Sequence, residues 1–337
     1  MILTRYLSPI SSFKFVIFIF CLLSISMQMY ASPPKPQYHL SADQTHSKFS
    51  RNEKIVLIVE SGAVVEVFTE EASDQQINLL STVKDLANIK PDPIHPLTGP
   101  VYVKEAEVGD ILAVTLHEIE IGDWGFAAIV PNIGQLAGEI NGPYLRTFDL
   151  SKDKNEIQFT DKIKIPLKPF PGVMGVAPDT DERLSTVPPR ANGGNMDDPN
   201  ITVGTIVYFP VFVKGALFSI GDTHATQGAG EVSGTGVEAP MRIVYELNVI
   251  KDGRQIQEPQ YETDESYVVT AFATTLDEAA KKATRFMIAY LMEVHDLSQN
   301  DAYMLCSLAG ELKIAEVVDL PNMLVTMHMS KKILGIK

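Results

Sequence analysis

Cysteine and positive charge are scarce in this sequence. Its 337 residues include two cysteines, and 28 lysines and arginines stand against 42 aspartates and glutamates, which gives a formal net charge of −14. An acidic surface repels nucleic acid and anionic membranes, so neither is an expected partner. Cys21 lies in an N-terminal segment that we expect to be removed, and Cys306 alone cannot form an internal disulfide. The mature protein is therefore expected to fold without one.

Apolar runs long enough to span a membrane are also missing. The run near the N-terminus, Phe15–Leu23, falls short of the roughly 20 residues that a membrane-spanning helix needs. It follows the basic residues Arg5 and Lys14 and gives way to smaller, more polar residues that end at Ala31. This order predicts a cleaved signal peptide over residues 1–31, hence an exported protein, periplasmic or secreted, without stable membrane association after cleavage. A retained N-terminal anchor is the alternative.

Two common catalytic motifs are absent. The serine nucleophile elbow reads G-x-S-x-G, and the stretch Val232-Ser233-Gly234 lacks the first glycine of that motif. The glycines of residues 228–236 are not followed by the G-K-[ST] of a phosphate-binding loop. The sequence therefore favours neither a serine hydrolase nor a nucleotide-binding loop.

Strand patterns dominate, and nowhere do they alternate with helices as in a doubly wound α/β protein. Short strands, tight turns and long loops predict a mostly β fold, sandwich-like or barrel-like, with an α+β C-terminal part. Lys54–Val59 and Ala63–Thr69 are typical of the two strands of a hairpin. After the signal peptide we divide the chain into an N-terminal β-rich domain (32–165), a β-rich core that carries the candidate metal site (166–260) and the α+β part (261–337).

Helical patterns are confined to the C-terminal part. A capping box, Thr275-Leu-Asp-Glu278, predicts a helix that continues to about Val294. Ser298 predicts the start of a second helix, which is expected to stop at Gly310.

Three ionisable residues, Asp222, His224 and Glu231, lie in the glycine-containing stretch Ser219–Glu231, S-I-G-D-T-H-A-T-Q-G-A-G-E. This stretch follows the apolar run Ile206–Phe218, which predicts one or two buried strands. Alternate side chains of a strand share a face, so Asp222 and His224 are expected to project together, and Glu231 adds a third ionisable group. Such residues beside a glycine-rich turn suit a divalent cation, zinc above all. The alternative is that Asp222 and His224 only cap a turn.

Several long segments follow one another in an order that resembles a known family. They are H-P-L-T-G-P-V-Y-V (95–103), P-F-P-G-V-M-G-V-A-P (169–178), P-P-R-A-N-G-G-N-M-D (188–197), Y-F-P-V-F-V-K-G-A-L-F-S-I-G-D-T-H-A-T-Q-G-A-G-E (208–231) and D-A-Y-M-L-C-S-L-A-G-E-L (301–312). Together they resemble the acetamidase/formamidase family of amide hydrolases.

The resemblance implies a β-rich fold, a bound divalent metal and the hydrolysis of a small amide to a carboxylate and ammonia. Zinc is the expected metal, with calcium as the alternative. The resemblance leaves open which acyl group the substrate carries and whether it is linear or a lactam. It also leaves open whether the protein is a homo-oligomer.

Under this hypothesis the candidate residues divide the chemistry among them. A metal held by Asp222 and His224 would polarise the amide carbonyl and acidify a water molecule. Glu238 is a candidate for a further ligand, or is simply a charged residue at a strand edge. Glu231 is the predicted proton shuttle between water and the leaving nitrogen.

Two amide side chains are candidates for substrate recognition. Asn195 and Gln227 each offer a donor and an acceptor, which is what an amide substrate requires. Either residue could instead satisfy the backbone of its own loop. Asp197 follows Asn195 closely and could reach the same site, although aspartates in such loops often serve turn geometry.

Two positions depart from the pattern that the resemblance implies. The family usually reads Q-G-D-G-E, whereas Ala229 stands at the acidic position here. An early aspartate of the family is also missing from T-E-E-A-S-D (69–74), where Glu71 is the candidate substitute and metal ligand. Ala229 motivates an alternative function, a secreted β-sandwich binding protein that kept the scaffold and lost catalysis. The retention of Asp222, His224 and Glu231 opposes it.

The N-terminal pattern leads to a first prediction. We expect protein recovered from the native envelope or medium to begin near Ser32, because residues 1–31 have the order of charge and hydropathy of a cleaved signal. Intact-mass measurement tests this, and a mass that still includes the N-terminal segment would contradict cleavage.

Overall fold

Strands make up most of the regular structure in residues 33–336, the residues that this computed structural model describes. The predicted signal peptide, residues 1–31, lies outside them. In chain order the strands are β1 (Tyr38–Leu40), β2 (Thr45–His46), β3 (Lys48–Phe49), β4 (Leu57–Val59), β5 (Ala63–Thr69), β6 (Leu97–Val103), β7 (Ile111–Ile121), β8 (Trp124–Ile129), β9 (Tyr144–Asp149), β10 (Glu156–Thr160), β11 (Ile163–Pro166), β12 (Phe170–Gly175), β13 (Leu184–Ser185), β14 (Gly193–Asn195), β15 (Ile206–Pro210), β16 (Phe218–His224), β17 (Met241–Ile250), β18 (Gln260–Glu262), β19 (Ser266–Ala273), β20 (Glu311–Glu316) and β21 (Met323–Ser330). The helices are α1 (Leu276–His295) and α2 (Gln299–Ala309), and a 3-10 turn covers Asp85–Asn88.

The strands form two large sheets. The first has nine strands in the order β1-β5-β17-β7-β15-β18-β19-β21-β20. The second has six, with β14-β12-β16-β6-β2 in order and β4 beside β6. The pairs β1–β5 and β4–β6 are parallel, whereas β17 runs antiparallel to both of its neighbours. Two-stranded ribbons pair β3 with β13, β8 with β9 and β10 with β11.

Alternation along the strands decides which layer each side chain joins. In β7, Leu112 and Val114 pack into the core between the two sheets, whereas Ile111 and Ala113 pack into the cluster that includes the helices. A strand exposes successive side chains on opposite faces, so a sheet covered on both faces is apolar on both. The layers are therefore the helices, the nine-stranded sheet and the six-stranded sheet. The predicted mostly β sandwich with an α+β C-terminal part is confirmed.

The nine-stranded sheet takes strands from each of the three segments into which the sequence was divided. β5 and β7 come from residues 32–165, β15 and β17 from 166–260, and β19 and β21 from 261–337. The three segments therefore share one sheet and its two cores. From Pro33 onward the chain forms one compact unit.

The predicted hairpin of Lys54–Val59 and Ala63–Thr69 is wrong, although both strands exist. β4 pairs with β6 in the six-stranded sheet, and β5 pairs with β1 and β17 in the nine-stranded sheet. The turn at Gly62 thus carries the chain from one sheet to the other. Two short strands joined by a turn can form a hairpin or belong to different sheets. Which of these forms depends on the strands elsewhere in the chain with which each one pairs.

The apolar run Ile206–Phe218 also crosses between sheets. β15 ends at Pro210 in the nine-stranded sheet, and β16 begins at Phe218 in the six-stranded sheet. Gly215 lies in the crossing with a φ of +81°, and a Cβ there would lie 2.2 Å from the Tyr102 ring. Glycine is therefore required for both conformation and space. The crossing thus transfers the chain to the six-stranded sheet, where β16 lies between β12 and β6.

Both predicted helices are confirmed. The Thr275 side chain accepts a hydrogen bond from the Glu278 backbone N–H at the start of α1, and Ser298 caps α2 in the same way through Asp301. The α1 face that includes Ala283, Met287 and Leu291 packs on the nine-stranded sheet. Among the described residues, neither helix combines the length and apolar character needed to cross a membrane.

The packing of α1 yields a prediction about stability. Met287 of α1 is fully buried between the helix and the nine-stranded sheet, whereas Met292 of the same helix is 41% exposed. We expect Met287→Ala to lower the free energy of unfolding by about 2–5 kcal/mol, because it removes buried methylenes and leaves a cavity. Urea denaturation measures this, with Met292→Ala as the matched control that should change stability little. Equal losses in the two variants would contradict the packing described here.

Candidate active site

The end of β16 and the loops beside it bring together a buried cluster of acidic side chains around one histidine. Asp222 and His224 lie on β16, as predicted, and both are almost fully buried. Glu231 follows in the loop after β16 and Glu238 in the segment that leads to β17. Asp197 follows β14, the strand next to β12. The cluster therefore draws on one end of the six-stranded sheet.

Backbone pairing explains the closest contact in the cluster. His224 and Glu238 stand opposite each other in a bridge, flanked by hydrogen bonds from Ala225 N to Val237 O and from Ala239 N to Thr223 O. Opposed residues of this non-hydrogen-bonded kind hold their side chains closest together. Accordingly, His224 Nε2 lies 3.0 Å from Glu238 Oε2.

Two aspartates complete the surroundings of the His224 ring. Asp222 Oδ1 lies 3.5 Å from Nε2, and Asp197 Oδ1 lies 3.6 Å from Nδ1. His95, from the loop before β6, approaches from the other side, with Nδ1 3.7 Å from Asp222 Oδ2. The Phe170 ring packs edge-on against His224 at 5.2 Å. These contacts fix the plane of the imidazole.

Three of the acidic residues adopt a left-handed backbone. The φ angles are +40° at Asp197, +49° at Asp222 and +46° at Glu231. Residues other than glycine rarely take this conformation, which costs of order 1–3 kcal/mol each and persists where function requires it. The coincidence of all three in one cluster indicates that their orientation was selected for the site.

A glycine makes room for the two aspartates. A Cβ at Gly172 would lie 2.3 Å from Asp197 Oδ1 and 3.1 Å from Asp222 Oδ2. The Gly172 carbonyl also accepts hydrogen bonds from the backbone N–H groups of Met196 and Asp197. Strand β12 therefore both admits the carboxylates and positions the loop that carries one of them.

Gln227 determines which ring nitrogen of His224 carries a proton. Its Nε2 donates to the Asp197 carbonyl oxygen at 2.9 Å, so its Oε1 is the atom that faces His224 Nδ1 at 2.6 Å. Only a protonated Nδ1 can donate to that oxygen. Nε2, which faces Asp222 and Glu238, is then the nitrogen available to a metal, and such support from the other nitrogen is typical of ligating histidines.

Negative charge greatly exceeds positive charge in the cavity above the cluster. Asp197, Asp222, Glu231, Glu238 and Asp319 all line it, and no lysine or arginine does so within the part of the chain that the structure describes. Burial of unpaired carboxylates is costly, so such a group requires protons or a cation.

The pKa values of the aspartates reflect this imbalance. Burial, strengthened by the Asp222 charge and opposed by His224, raises the pKa of Asp197 to about 8. Burial acts on Asp222 in the same direction, but the neighbouring His95 and His224 charges prevail and lower its pKa to about 2. Burial and the Asp197 charge raise the pKa of Glu231 well above its ordinary value. The cluster thus contains one carboxyl group with a lowered pKa, that of Asp222, and two with raised pKa values, those of Asp197 and Glu231.

The residues present fit a divalent cation. Asp222, His224 and Glu238 each offer a ligand atom within 4.8 Å of the others, and so do Asp197, His224 and Glu231. Buried oxygens of three of these carboxylates, in Asp197, Asp222 and Glu238, lack any hydrogen-bond partner. Carboxylate oxygens and imidazole nitrogen are a donor set that zinc accepts. Because Gln227 engages Nδ1 and Nε2 faces Asp222 and Glu238, the set with these two carboxylates is favoured.

The structure separates Glu71 from these groups. Its carboxylate accepts hydrogen bonds from Ser73 N at 2.6 Å, Ser73 Oγ at 2.8 Å and Gln75 N at 2.6 Å. Glu71 is buried, but it does not line the cavity. The predicted ligand therefore holds a turn in this structure and contributes no atom to either ligand group.

The two predicted recognition residues occupy different positions. Asn195 lines the cavity, with its Nδ2 bonded to Asp319 Oδ2 at 2.8 Å and its Oδ1 buried without a partner. Gln227 uses both ends of its amide on Asp197 and His224 and does not line the cavity. Ala229, where the family pattern has an acid, is exposed and lies outside the cavity.

Two contributors, His95 and Asp319, were missed by reasoning on the sequence. His95 lies in a proline-rich loop, and Asp319 lies in the segment between β20 and β21. The loop after β16 joins that segment directly, because Gly230 N donates to Ala315 O at 2.7 Å and Val317 N donates to Gly230 O at 3.2 Å. The family-like segment 95–103 begins at His95 and was the available signal for that residue. No sequence feature pointed to Asp319.

A buried acid–histidine cluster at the floor of a cavity is the kind of site that hydrolytic enzymes use. The family model for the acetamidase/formamidase family matches residues 34–185 and 180–335. The chain therefore belongs to the acetamidase/formamidase family. This match confirms the family that the motifs predicted, and with it the predicted class of enzyme, an amidase.

Individual relatives agree with this assignment. A formamidase from Methylophilus methylotrophus is 24% identical in an alignment that covers 86% of this chain and 89% of the relative. The crystal structure of a predicted acetamidase/formamidase from Thermoanaerobacter tengcongensis is 36% identical, with a TM-score of 0.84 and coverage of 89% of this chain and 98% of its own. An acetamidase structure from Bacillus halodurans is 32% identical, with a TM-score of 0.83 and coverage of 88% and 98%.

Two of the buried glutamates, Glu238 and Glu71, allow a matched test of the ligand set. We expect Glu238→Gln to lower the divalent metal content of the purified protein, because it removes a charged oxygen beside His224 Nε2. Glu71→Gln should keep the metal and instead reduce the free energy of unfolding by about 1–3 kcal/mol, since it disrupts a satisfied turn. Elemental analysis with urea denaturation measures both effects. Metal loss in Glu71→Gln with full retention in Glu238→Gln would reverse the assignment.

Proposed function

We propose that this protein hydrolyses a small amide, of the acetamide or formamide type, to a carboxylate and ammonia with the aid of a divalent metal. The observation that carries the proposal is the position of His224 Nε2, which faces Asp222 and Glu238 at the floor of a cavity. Curated relatives bear the names formamidase and acetamidase, which supports the reaction class. Neither serine nor cysteine chemistry is needed.

Asp222, His224 and Glu238 would hold the metal, which we propose to be zinc. When bound, such a cation supplies a Lewis acid for the amide carbonyl and makes water at the site more acidic. His224 offers Nε2 to it because Gln227 occupies the other ring nitrogen. Gln227 is thus proposed as a positioning residue, and substrate recognition is left to other groups.

Glu231 is the proposed acid–base group. It lines the cavity, is 6% exposed, and its side chain forms no hydrogen bond with another described residue within the protein. Its carboxylate can therefore accept a proton from the attacking water and deliver it to the leaving nitrogen. A carboxylate oxygen of Glu231 lies within 4.8 Å of ligand atoms of His224 and Asp197, so it can reach the same small volume.

Asn195 is proposed to recognise the substrate amide. Its Nδ2 is already engaged by Asp319, which leaves the buried Oδ1 as an acceptor without a partner. A substrate N–H is the natural donor for that oxygen. The Asn195–Asp319 contact would fix the direction in which the acceptor points and so the orientation of the substrate nitrogen.

The alternative of a binding protein without catalysis has lost its motivating feature. It depended on the alanine at position 229, and that side chain is exposed and outside the cavity. An acidic residue missing there removes no group from the cluster. Export to the periplasm or medium is proposed from the N-terminal pattern alone.

The role of Glu231 can be separated from a ligand role by one substitution. We expect Glu231→Gln to lower kcat for acetamide by about 10²–10⁴, with a smaller change in KM and unchanged metal content, because only the acid–base function is lost. Glu139→Gln, an exposed residue outside the cavity, is the control. Ammonia release and elemental analysis give the readouts.

Three results are informative for this prediction. Slow turnover with full metal supports the shuttle, metal-poor protein makes Glu231 a ligand, and unchanged turnover refutes both. Treatment of the wild-type protein with a chelator should abolish ammonia release, and readdition of zinc should restore it. Turnover that survives complete metal removal would contradict the metal-dependent proposal.

A further inference from the structure

We propose that the preferred substrate is a primary amide with an extended apolar acyl group, such as a medium-chain aliphatic amide, and that formamide and acetamide are hydrolysed less efficiently. This inference rests on the proposed function and specifies its substrate class. It follows from the size of the cavity, from the apolar face that begins beside the acidic cluster, and from the position of the polar groups at one end.

The cavity is much larger than the smallest amides. Its volume is about 590 Å³. Pockets of roughly 300–1,000 Å³ are the size that buries drug-sized ligands, whereas formamide and acetamide contain only a few heavy atoms. If formamide or acetamide were bound, most of the cavity would still be filled by water in contact with its apolar walls.

One strand connects the apolar wall to the acidic floor. Phe126 of β8 stands opposite Glu238, with Phe126 N donating to Glu238 O at 2.9 Å and Glu238 N to Phe126 O at 2.7 Å. Directly opposed residues project their side chains to the same face of a sheet. Because Glu238 is in turn opposite His224, the three side chains share one face, and the apolar wall begins where the proposed chemistry occurs.

The same face continues away from the cluster along β8. Phe126 and Ala128 of β8 and Val130, which follows the strand directly, alternate with residues of the other face, and all three line the cavity. From Phe126 to Val130 the extended chain covers about 13 Å at the usual rise of an antiparallel strand. This length suits an extended chain of several methylene groups.

Apolar side chains also form the mouth of the cavity. Ile133 is 46% exposed and Leu320 is 65% exposed, and both line the cavity. Ligand pockets are lined mostly by apolar side chains, so both residues suit an apolar part of the substrate. They place the far end of the acyl chain between the loop after β8 and the segment before β21.

The polar groups determine which part of the amide faces which end. The substrate nitrogen carries two N–H donors, and the acceptors Asn195 Oδ1, Asp197 and Glu231 all lie at the acidic end. A substituent on nitrogen would compete with these contacts. The apolar group is therefore assigned to the acyl side.

Competition between matched amides tests the assignment. Each buried methylene improves binding about fourfold, so we expect kcat/KM for hexanamide to exceed that for acetamide on the order of 10²-fold. N-Butylacetamide, an isomer of hexanamide with the chain on nitrogen, should be much the poorer substrate. Equal or better turnover of acetamide, or a preference for N-butylacetamide, would overturn the assignment.

Two isoleucines of one loop offer a matched pair of variants. Ile133 lines the cavity, whereas Ile140 does not, and the two are similarly exposed at 46% and 52%. We expect Ile133→Asn to reduce the ratio of kcat/KM for hexanamide to that for acetamide at least about fivefold, and Ile140→Asn to keep the wild-type ratio. Ala128→Phe, which fills the cavity beside Phe126, should lower the same ratio further. Ratios unchanged in Ile133→Asn and Ala128→Phe would contradict the acyl site.

Failure of the proposed function can be recognised separately. If the metal-loaded protein releases neither ammonia from the primary amides nor butylamine from N-butylacetamide, amide hydrolysis is refuted. Calorimetric titration of hexanamide and acetamide into that protein then tests the apolar site by itself. Tighter binding of hexanamide, weakened by Ile133→Asn, supports it, and equal affinities refute it.

Discussion

The constraint on which this structure depends is the burial of several carboxylates around a single imidazole. Asp197, Asp222 and Glu238 surround His224, and no lysine or arginine lines the cavity in the described residues. Such a group is unstable as a set of bare anions, so protons or a cation must share the space. Two features of the surrounding structure hold these oxygens together. Three acidic residues have a left-handed backbone, and Gly172 has no side chain to displace the carboxylates beside it.

The fold supplies the rigidity that this arrangement requires. β16 is buried along its whole length in the six-stranded sheet, and its last residues carry two of the clustered groups. Short bridges then tie Glu238 to β16 on one side and to β8 on the other. Acidic floor and apolar wall are therefore parts of one continuous sheet surface, and binding and chemistry share a single frame.

Local sequence patterns predicted the parts of this site that are local. The spacing of Asp222 and His224 predicted that both lie on one strand, and the capping residues Thr275 and Ser298 predicted where the two helices begin. The hairpin assigned to β4 and β5 failed because short strands with a turn between them do not reveal their partners. Asp319 was not predicted because its approach depends on pairing between distant segments, which no periodicity records. Glu71 was predicted as a metal ligand from its position in the chain. In the structure its carboxylate oxygens accept hydrogen bonds from residues of its own turn.

Gly230 pairs with residues 315–317, so the site can be completed only after that segment has been made. The loop that bears Glu231 is held by hydrogen bonds to this segment. During synthesis from the N-terminus, residues 315–317 follow both helices. A nascent chain can therefore build most of the two sheets while its hydrolytic centre is still incomplete, so catalytic competence depends on a late pairing and does not arise gradually along the chain.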